Sequence, residues 1–158
     1  MLYVDDLIIT GSTTSIINNV KATLQDRFVM TDLGLLHYFL GIEINQSSSG
    51  ITLSQPKYPL DLLAQFRMSD CKAASTPFLS GVKLEAKCST PLGDATLYRQ
   101  LVGSLIYLTH TRPDIPFVVG MVSLFMQEPH ELHWKVAKCI LHYIQGTHTH
   151  GIHYTAGT

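Results

Sequence analysis

Apolar and turn-forming residues predict a β-hairpin at the start of the chain. Residues 2–4 and 7–10 are two short apolar runs, and Asp5 and Asp6 stand between them, before Gly11. Two turn-forming residues between two strand-like runs are typical of a tight hairpin. The two aspartates are therefore expected at the turn, between strands that pair with each other.

The rest of the first half predicts a helix, a second hairpin and a second helix. Apolar residues recur every three or four positions over residues 13–28, as in an amphipathic helix. Residues 38–44 are rich in strand-forming side chains, and residues 51–53 can pair back on them across a serine-rich turn at 47–50. The proline at the start of residues 56–67 suits the first turn of a helix over that range.

The second half predicts mainly helices. Between residues 69 and 93 the apolar period disappears and proline and glycine recur, so this stretch is the predicted linker. Asp94 can cap a helix, others are predicted from Pro113 and over residues 130–144, and residues 151–154 could form a final strand. Together the elements predict an α+β fold in which antiparallel hairpins and helices precede a mostly helical region. The leucines that share a face of the helix after Asp94 are Leu97, Leu101, Leu105 and Leu108.

The composition indicates a folded chain of nearly balanced charge. The 158 residues are 46% hydrophobic and 15% charged, with a formal net charge of −1. A charge of this size would not by itself hold a nucleic-acid backbone. Residues 1–70 have four basic against seven acidic residues, whereas residues 71–158 have seven against five. The mildly basic second half is compatible with contacting a duplex, although an ordinary solvated surface explains it equally well.

The spacing of the cysteines and the length of the apolar runs argue against a protein held by disulfides or cysteine-bound zinc and against a membrane-spanning protein. Cys71, Cys88 and Cys139 are an odd number without close spacing, so neither a disulfide framework nor a cysteine-based zinc site is predicted. The apolar run near residues 117–126 is well short of the roughly 20 residues that a membrane-spanning helix needs. The N-terminus lacks the basic segment of a signal peptide. An intracellular, soluble protein is therefore expected, in a compartment that the sequence leaves open.

The adjacent Asp5 and Asp6 carry the candidate chemistry. Aspartate is depleted in strands, and two neighbouring carboxylates repel each other, so their position between apolar runs needs compensation. A solvent-exposed turn provides it at low cost. A divalent metal also provides it, because Mg²⁺ prefers oxygen ligands and two such ions about 3.5–4 Å apart support phosphoryl transfer. For an isolated pair the simple turn is the default interpretation.

Six motifs lie along the chain, and the first of them contains this pair. The first runs from Leu2 to Gly11 and contains Tyr3-Val4-Asp5-Asp6. The later ones read MTDLG at 30–34, YFLGIE at 38–43, LSQPKY at 53–58, YRQLVGSLIYL at 98–108 and TRPDI at 111–115. In these motifs and in their order the chain resembles the reverse transcriptases of Ty1/copia-type retrotransposons.

The resemblance implies roles for two groups of residues. Asp5 and Asp6 stand where this family has two of its metal-binding carboxylates, so they are the expected catalytic residues and ligands of Mg²⁺ or Mn²⁺. A hairpin over residues 39–43 is similar to the family's primer grip, which implies that Leu40, Gly41 and Ile42 hold the 3′ end of the primer. Gly41 suits this role because a residue without Cβ allows close backbone approach; a bulge or tight strand contact is the alternative.

The resemblance also implies a domain order. Residues 1–68 would form a partial polymerase palm with the primer-grip hairpin and the start of the thumb. Residues 69–93 would be a linker, and residues 94–158 a helical thumb and connection region that ends before the family's RNase H domain. The expected partners are an RNA or DNA template-primer and, in the intact enzyme, a deoxynucleoside triphosphate, with no membrane. The individual nucleic-acid-binding residues are left open.

The same resemblance predicts that these 158 residues are inactive alone. In this family another metal-binding aspartate and the fingers precede the motif of Asp5 and Asp6, and Thr31 stands where a lysine was expected. The leading interpretation is a truncated reverse transcriptase, an RNA-directed DNA polymerase by ancestry, and the sequence leaves open whether a separate chain supplies the missing palm and fingers. The alternative is a non-catalytic nucleic-acid-binding or interaction module left from a decayed retrotransposon. A third is an aggregation-prone chain, because residues 2–10 could expose an apolar strand edge.

Several histidines have two interpretations. His148, His150 and His153 could suggest a metal site, but no carboxylate or cysteine accompanies them, so surface positions are predicted. His130 and His133 lie three residues apart on a predicted helix, where capping or surface roles are expected.

Aromatic residues and one arginine are also ambiguous. Tyr98, Tyr107 and Trp134 could stack on bases, but their helical spacing favours packing in the core. Arg112 could contact a phosphate or pair with Asp114. The sequence does not decide between these contacts.

Overall fold

The computed structural model describes the backbone of residues 2–3 and the whole of residues 6–79 and 81–155. Two compact units result, an N-terminal unit of residues 1–37 and a C-terminal unit of residues 38–158. Antiparallel sheets and five helices confirm the predicted α+β class. In the described part of the chain, no helix is long and apolar enough to cross a membrane.

The N-terminal unit begins with the predicted hairpin. Strand β1 (Leu2–Tyr3) pairs antiparallel with strand β2 (Asp6–Leu7), and Tyr3 is opposite Asp6. Asp6 is thus the first residue of a strand, whereas the sequence predicted it in the turn. Pairing with Tyr3 brings the Asp6 backbone into the ladder of the sheet.

Helix α1 (Thr14–Arg27) confirms the predicted amphipathic helix, yet none of its residues is buried. It ends where the Phe28 N–H donates to the Leu24 carbonyl, 2.9 Å away. Beyond it, Asp32 accepts hydrogen bonds from the Gly34 N–H at 2.9 Å and the Lys21 ammonium at 3.0 Å. The bond from Gly34, followed by that from Lys21, lowers the pKa of Asp32. The MTDLG motif therefore makes a turn that is tied back to α1.

The C-terminal unit contains a four-stranded antiparallel sheet. Its strands lie in the order β3 (Tyr38–Phe39), β4 (Ile42–Ser47), β5 (Gly50–Ser54) and β6 (Gly151–Thr155). The predicted second hairpin and the predicted final strand are both confirmed. Because strand side chains alternate between faces, the cross-strand set Ile44, Leu53 and Ile152 shares the apolar face.

Four helices make the core of the C-terminal unit. They are α2 (Lys57–Gln65), α3 (Thr96–Leu108), α4 (Pro116–Ser123) and α5 (Glu131–Thr147), close to the predicted positions. Tyr98 is fully buried and donates to the Val122 carbonyl at 2.6 Å, and burial raises its pKa. The prediction of core packing is therefore confirmed for Tyr98 and for the partly buried Trp134. The fully buried core side chains of these helices include Leu101, Val102, Leu105, Leu108, Val122, Val136, Ile140, Leu141 and Ile144.

One face assignment in α3 was wrong. Leu97, predicted to share the buried face with the later leucines, is 57% exposed, and its neighbour Tyr98 is buried instead. The hydrogen bond of Tyr98 to α4 accounts for this difference, because it allows a large polar-tipped ring to occupy the core.

The stretch between α2 and α3 has no helix or strand among its described residues, as predicted for residues 69–93. It is packed on the core nonetheless. Phe78, Leu79 and Val82 lie partly buried against the helices, and the Ala74 N–H donates to the His142 carbonyl at 3.0 Å. The division into palm, linker and thumb stays a prediction, whereas the compact units meet between residues 37 and 38.

Arg112 is a buried structural residue. Its guanidinium makes two hydrogen bonds to Asp114, at 2.9 and 2.6 Å, and two more to Thr147, at 2.9 and 2.7 Å. It also lies over the Tyr143 ring. Burial acts against ionisation of Asp114, but hydrogen bonds from Arg112 and Tyr143 outweigh it and lower the pKa. Of the two interpretations of Arg112, pairing with Asp114 is the one found.

His130 and His133 begin α5 as a capping pair. The His130 N–H donates to Nδ1 of His133 at 2.9 Å, so Nε2 of His133 carries the proton and donates to the Glu85 carbonyl at 3.0 Å. Both rings are buried, which corrects the expectation of a surface position while confirming the capping role. Burial lowers the pKa of His133, and the hydrogen bond to the Glu85 carbonyl only partly offsets this effect.

Candidate functional site

The structure describes one of the two predicted catalytic aspartates, Asp6. Asp5 lies outside the described residues, and Asp6 is solvent-exposed at the start of β2. An exposed carboxylate offers the oxygen donors that Mg²⁺ takes, so Asp6 fits a metal ligand in its chemistry. Over residues 6–79 and 81–155 no group of three or more histidine, cysteine, aspartate or glutamate side chains could hold a metal ion.

The histidines near the end of the chain and the three cysteines are the other residues that were considered as metal ligands. Nδ1 of His153 lies 2.9 Å from the Thr52 hydroxyl on the exposed side of the sheet, and His150 is exposed as well. All three cysteines are free, and burial raises the pKa of the Cys71 and Cys139 thiols. His150 and His153 therefore have the surface positions that the sequence predicted.

The predicted primer-grip residues form the tip of a tight hairpin. Phe39 pairs with Ile42, which leaves Leu40 and Gly41 as a two-residue turn. Their φ angles are +49° and +82°. Positive φ at both positions is what a type I′ turn requires, and this turn matches the twist of its two strands. The strand-like run from 38 to 44 is therefore two strands joined by a turn.

Leu40 adopts a backbone conformation that is unfavourable for its side chain. A residue with a Cβ in the left-handed region costs about 1–2 kcal/mol, and such a conformation persists only where neighbouring contacts enforce it. Leu40 is nevertheless the first turn residue, and its side chain is 42% exposed. The contacts that compensate must therefore be made by the backbone of the turn.

Tyr107 makes that contact. Its hydroxyl, in the last turn of α3, donates to the Leu40 carbonyl at 2.7 Å. A Cβ added to Gly41 would overlap the Tyr107 hydroxyl oxygen, so glycine is required there by space as well as by its φ angle. The structure thus gives Gly41 a turn position with a protein hydroxyl where a Cβ would lie, and its role in the primer grip stays a prediction.

The Tyr107 ring is itself held in place. The Tyr58 ring meets it edge to face with centroids 4.7 Å apart, and the Tyr58 hydroxyl donates to the Ser104 carbonyl at 3.2 Å. Just beyond the end of α3, the His110 ring lies 5.7 Å from that of Tyr107. Edge-to-face aromatic pairs of this kind are typically worth about 0.5–1.5 kcal/mol beyond area burial. The hydroxyl that contacts the turn is therefore carried by an oriented ring.

A buried polar bond ties the same elements together. The Thr111 hydroxyl donates to Oε1 of Gln55 at 2.7 Å, where β5 leads into α2 and α3 has just ended. Both side chains are buried. Four sequence motifs thus converge on one region of the C-terminal unit: YFLGIE supplies the turn, LSQPKY supplies Gln55 and Tyr58, YRQLVGSLIYL supplies Tyr107, and TRPDI supplies Thr111.

Reasoning from the sequence missed this role of Tyr107, which it considered only as a stacking or core residue. The available signal was its position beside Leu108, one residue away from the buried face of α3. An aromatic residue just outside a buried face can pack its ring inward and present its hydroxyl to another element.

Comparison with known proteins supplies the family. A model of the family "Reverse transcriptase (RNA-dependent DNA polymerase)" matches residues 1–80, which include the Asp5-Asp6 motif and the hairpin. The chain belongs to this reverse transcriptase family. As the sequence predicted, its relatives include Pol polyproteins of copia-type transposons.

Three relatives illustrate the match. The "Retrovirus-related Pol polyprotein from transposon RE1" of Arabidopsis thaliana is 45% identical over 96% of this chain and 10% of its own length. That from transposon TNT 1-94 of Nicotiana tabacum is 39% identical over 93% of this chain and 12% of its own. An uncharacterized mitochondrial protein of Arabidopsis thaliana is 43% identical over 97% and 63%, respectively.

This chain thus spans about a tenth of the length of the matched Pol polyproteins. No solved structure matches the chain. Because the RE1 match covers 96% of the chain, it extends well beyond the 80 residues of the family model. The similarity accordingly includes the motifs of α3 that contain Tyr107.

Proposed function

We propose that the chain is part of an RNA-directed DNA polymerase that uses an RNA or DNA template-primer. In this proposal the N-terminal unit supplies metal-binding carboxylates, and the C-terminal unit supplies the hairpin that holds the primer end. The family match over residues 1–80 supports both roles, since it includes both motifs. The observation that carries the proposal is the Leu40-Gly41 turn backed by Tyr107, because holding a reacting end requires a rigidly supported backbone.

Asp5 and Asp6 would hold Mg²⁺ or Mn²⁺ in this enzyme. Two bound ions supply the charge that activates a primer 3′ hydroxyl and stabilises the departing pyrophosphate of a deoxynucleoside triphosphate. Asp6 supports the proposal by its exposure and its oxygen donors. Its place on a paired strand would hold the carboxylate on a backbone with fixed direction.

We further propose that these 158 residues do not extend a primer by themselves. A site of this kind needs carboxylates in addition to Asp5 and Asp6, and groups that position the nucleotide. A complementing palm and fingers segment would provide both. Activity would then depend on combining it with the residues of this chain.

Primer extension tests this proposal. A labelled DNA primer on an RNA template is incubated with the chain and Mg²⁺ or Mn²⁺, with or without the upstream palm and fingers segment of the RE1 polyprotein. Extension is expected only in the combined reaction, and Asp5→Asn with Asp6→Asn should reduce it by about 100-fold or more. Asp26→Asn, on the exposed surface of α1, is the matched control.

Two outcomes would contradict the proposal. Primer extension by the chain alone would show that no complementing segment is needed. Full activity of the doubly substituted variant in the combined reaction would show that Asp5 and Asp6 are not the metal ligands. Unchanged activity of Asp26→Asn ensures that loss of charge in general does not explain the result.

A second candidate function is a nucleic-acid-binding module without catalysis. The observation in its favour is that the C-terminal unit has its own core, to which no residue of the N-terminal unit contributes among the described residues. Binding of a template-primer that persists in EDTA and is unchanged by Asp5→Ala with Asp6→Ala would favour the module. Binding that requires Mg²⁺ and both aspartates would favour the polymerase.

A further inference from the structure

We infer that Tyr107 is a positioning residue that fixes the shape of the Leu40-Gly41 turn and, through it, the position of a primer end. This inference rests on the proposed function, in which the hairpin is the primer grip. The residues at issue are the turn itself, the hydroxyl that contacts it and the ring of Tyr58 behind that hydroxyl.

The contact is specific to a hydroxyl. Tyr107 reaches the turn through one hydrogen bond to the Leu40 carbonyl, whereas its ring is packed against Tyr58. Phenylalanine at this position would keep the ring contact and lose only the bond to the turn. The Leu40 peptide group, at a strained turn between β3 and β4, would then lose this hydrogen bond.

The turn residues are not fully covered by the rest of the C-terminal unit. Leu40 is 42% exposed, and Gly41 presents no side chain, while Tyr107 occupies the space next to the Gly41 Cα. A sugar-phosphate end could therefore approach the exposed turn backbone from one side while Tyr107 supports the turn from the other. A shift of the Leu40 carbonyl would move the surface that the primer end contacts without unfolding the hairpin.

The test compares Tyr107→Phe with Tyr58→Phe in the complete chain. Tyr58→Phe is a matched control, because it also removes one tyrosine hydroxyl from this cluster but breaks a bond to Ser104 of α3 and none to the turn. Amide hydrogen exchange over residues 38–43 reports the turn. We expect exchange there to be about two- to fivefold faster in Tyr107→Phe, as for the loss of a single partly exposed hydrogen bond, and unchanged in Tyr58→Phe.

Primer-end recognition is measured with two duplexes of equal length, one with a recessed primer 3′ end carrying 2-aminopurine and one blunt. The wild-type chain should prefer the recessed end, and Tyr107→Phe should lower that preference by about two- to fivefold without changing affinity for the blunt duplex. A residue needed only for folding would affect both duplexes equally. Thermal unfolding of each variant verifies that the chain remains folded.

The possible outcomes separate the inference from the proposed function. Equal exchange over residues 38–43 in Tyr107→Phe and wild type overturns the inference and leaves the proposed function standing. Faster exchange with no recessed-end preference in the wild type overturns the proposed function and with it the primer role of Tyr107. Faster exchange together with a lost preference, in Tyr107→Phe only, supports both. Gly41→Ala, which would overlap the Tyr107 hydroxyl, should reproduce that pattern from the other side of the contact.

Discussion

The two units of this protein each contain a helix with apolar residues at helical spacing, but these side chains are buried in one unit and at least partly exposed in the other. Helix α1 of the N-terminal unit has apolar residues at helical spacing, yet none is buried, and Ile16 is 62% exposed. Helix α5 of the C-terminal unit has a comparable pattern, and its apolar face is completely enclosed, with Val136, Ile140 and Ile144 fully buried. A periodic pattern therefore predicts that a helix forms, whereas its stabilising contribution depends on what packs against it.

The same contrast applies to charged residues. Lys21 and Asp32 of the N-terminal unit make an exposed ion pair of 3.0 Å. Arg112 of the C-terminal unit is 1% exposed, and all its described contacts are to other parts of that unit. Exposed pairs contribute little because water and salt screen them, but breaking a buried pair leaves a charge without its partner. Substitutions should therefore have unequal effects in the two units.

The largest difference in the free energy of unfolding is expected between the alanine variants of two leucines, one in each unit. Leu105→Ala creates a cavity in the enclosed core of the C-terminal unit and should lower its free energy of unfolding by about 4 kcal/mol. Leu24→Ala on α1 removes a side chain from a helix without buried residues and should cost less than about 1 kcal/mol. Urea unfolding measures both, with tryptophan fluorescence for the C-terminal unit, because Trp134 packs on its core, and far-ultraviolet circular dichroism for the loss of helix α1. Equal costs would contradict the contrast between the units.

A somewhat smaller effect is expected at Arg112. Arg112→Ala leaves the Asp114 carboxylate and the Thr147 carbonyl without their partner and should cost about 3 kcal/mol, at the lower end for buried pairs because Asp114 is 31% exposed. Arg99→Ala is the control, since Arg99 donates to the Met126 and Gln127 carbonyls at an exposed position. A cost of Arg112→Ala no larger than that of Arg99→Ala in urea unfolding would refute the structural role.

The smallest effect on stability is expected from the protonation of His133 as the pH falls. The pKa of His133 is lowered by burial below its ordinary value of 6.5, so the folded chain resists a proton that the unfolded chain accepts. The stabilisation linked to neutral His133 is complete above pH 6.5 and is lost progressively as the pH falls from there toward the lowered pKa. Unfolding midpoints at pH 8 and pH 5.5 should differ more for the wild type than for His133→Asn. A His133 imidazole that titrates at or above 6.5 by NMR would contradict this prediction.

The motifs identified the family from sequence alone, and local patterns predicted most of the elements. The hairpins, the helix over residues 13–28 and the final strand all formed, because each depends on residues close together in the chain. The patterns did not predict the Leu40-Gly41 turn within the run 38–44, since Leu is an unusual residue at positive φ. Nor did they predict that His130 and His133 would be buried.

The partner of each candidate residue was decided by the tertiary structure. The hydroxyl of Tyr107 meets a carbonyl 67 residues earlier, Thr111 meets Gln55 56 residues earlier, and Arg112 meets Thr147 35 residues later. No periodicity over a few residues encodes such distances. The sequence by itself determined which segments become strands and helices and which family they come from, because local backbone preference and motif order are properties of neighbouring residues. Only the packed C-terminal unit determined that a tyrosine of α3 supports the hairpin turn, because that contact exists only after distant segments share one core.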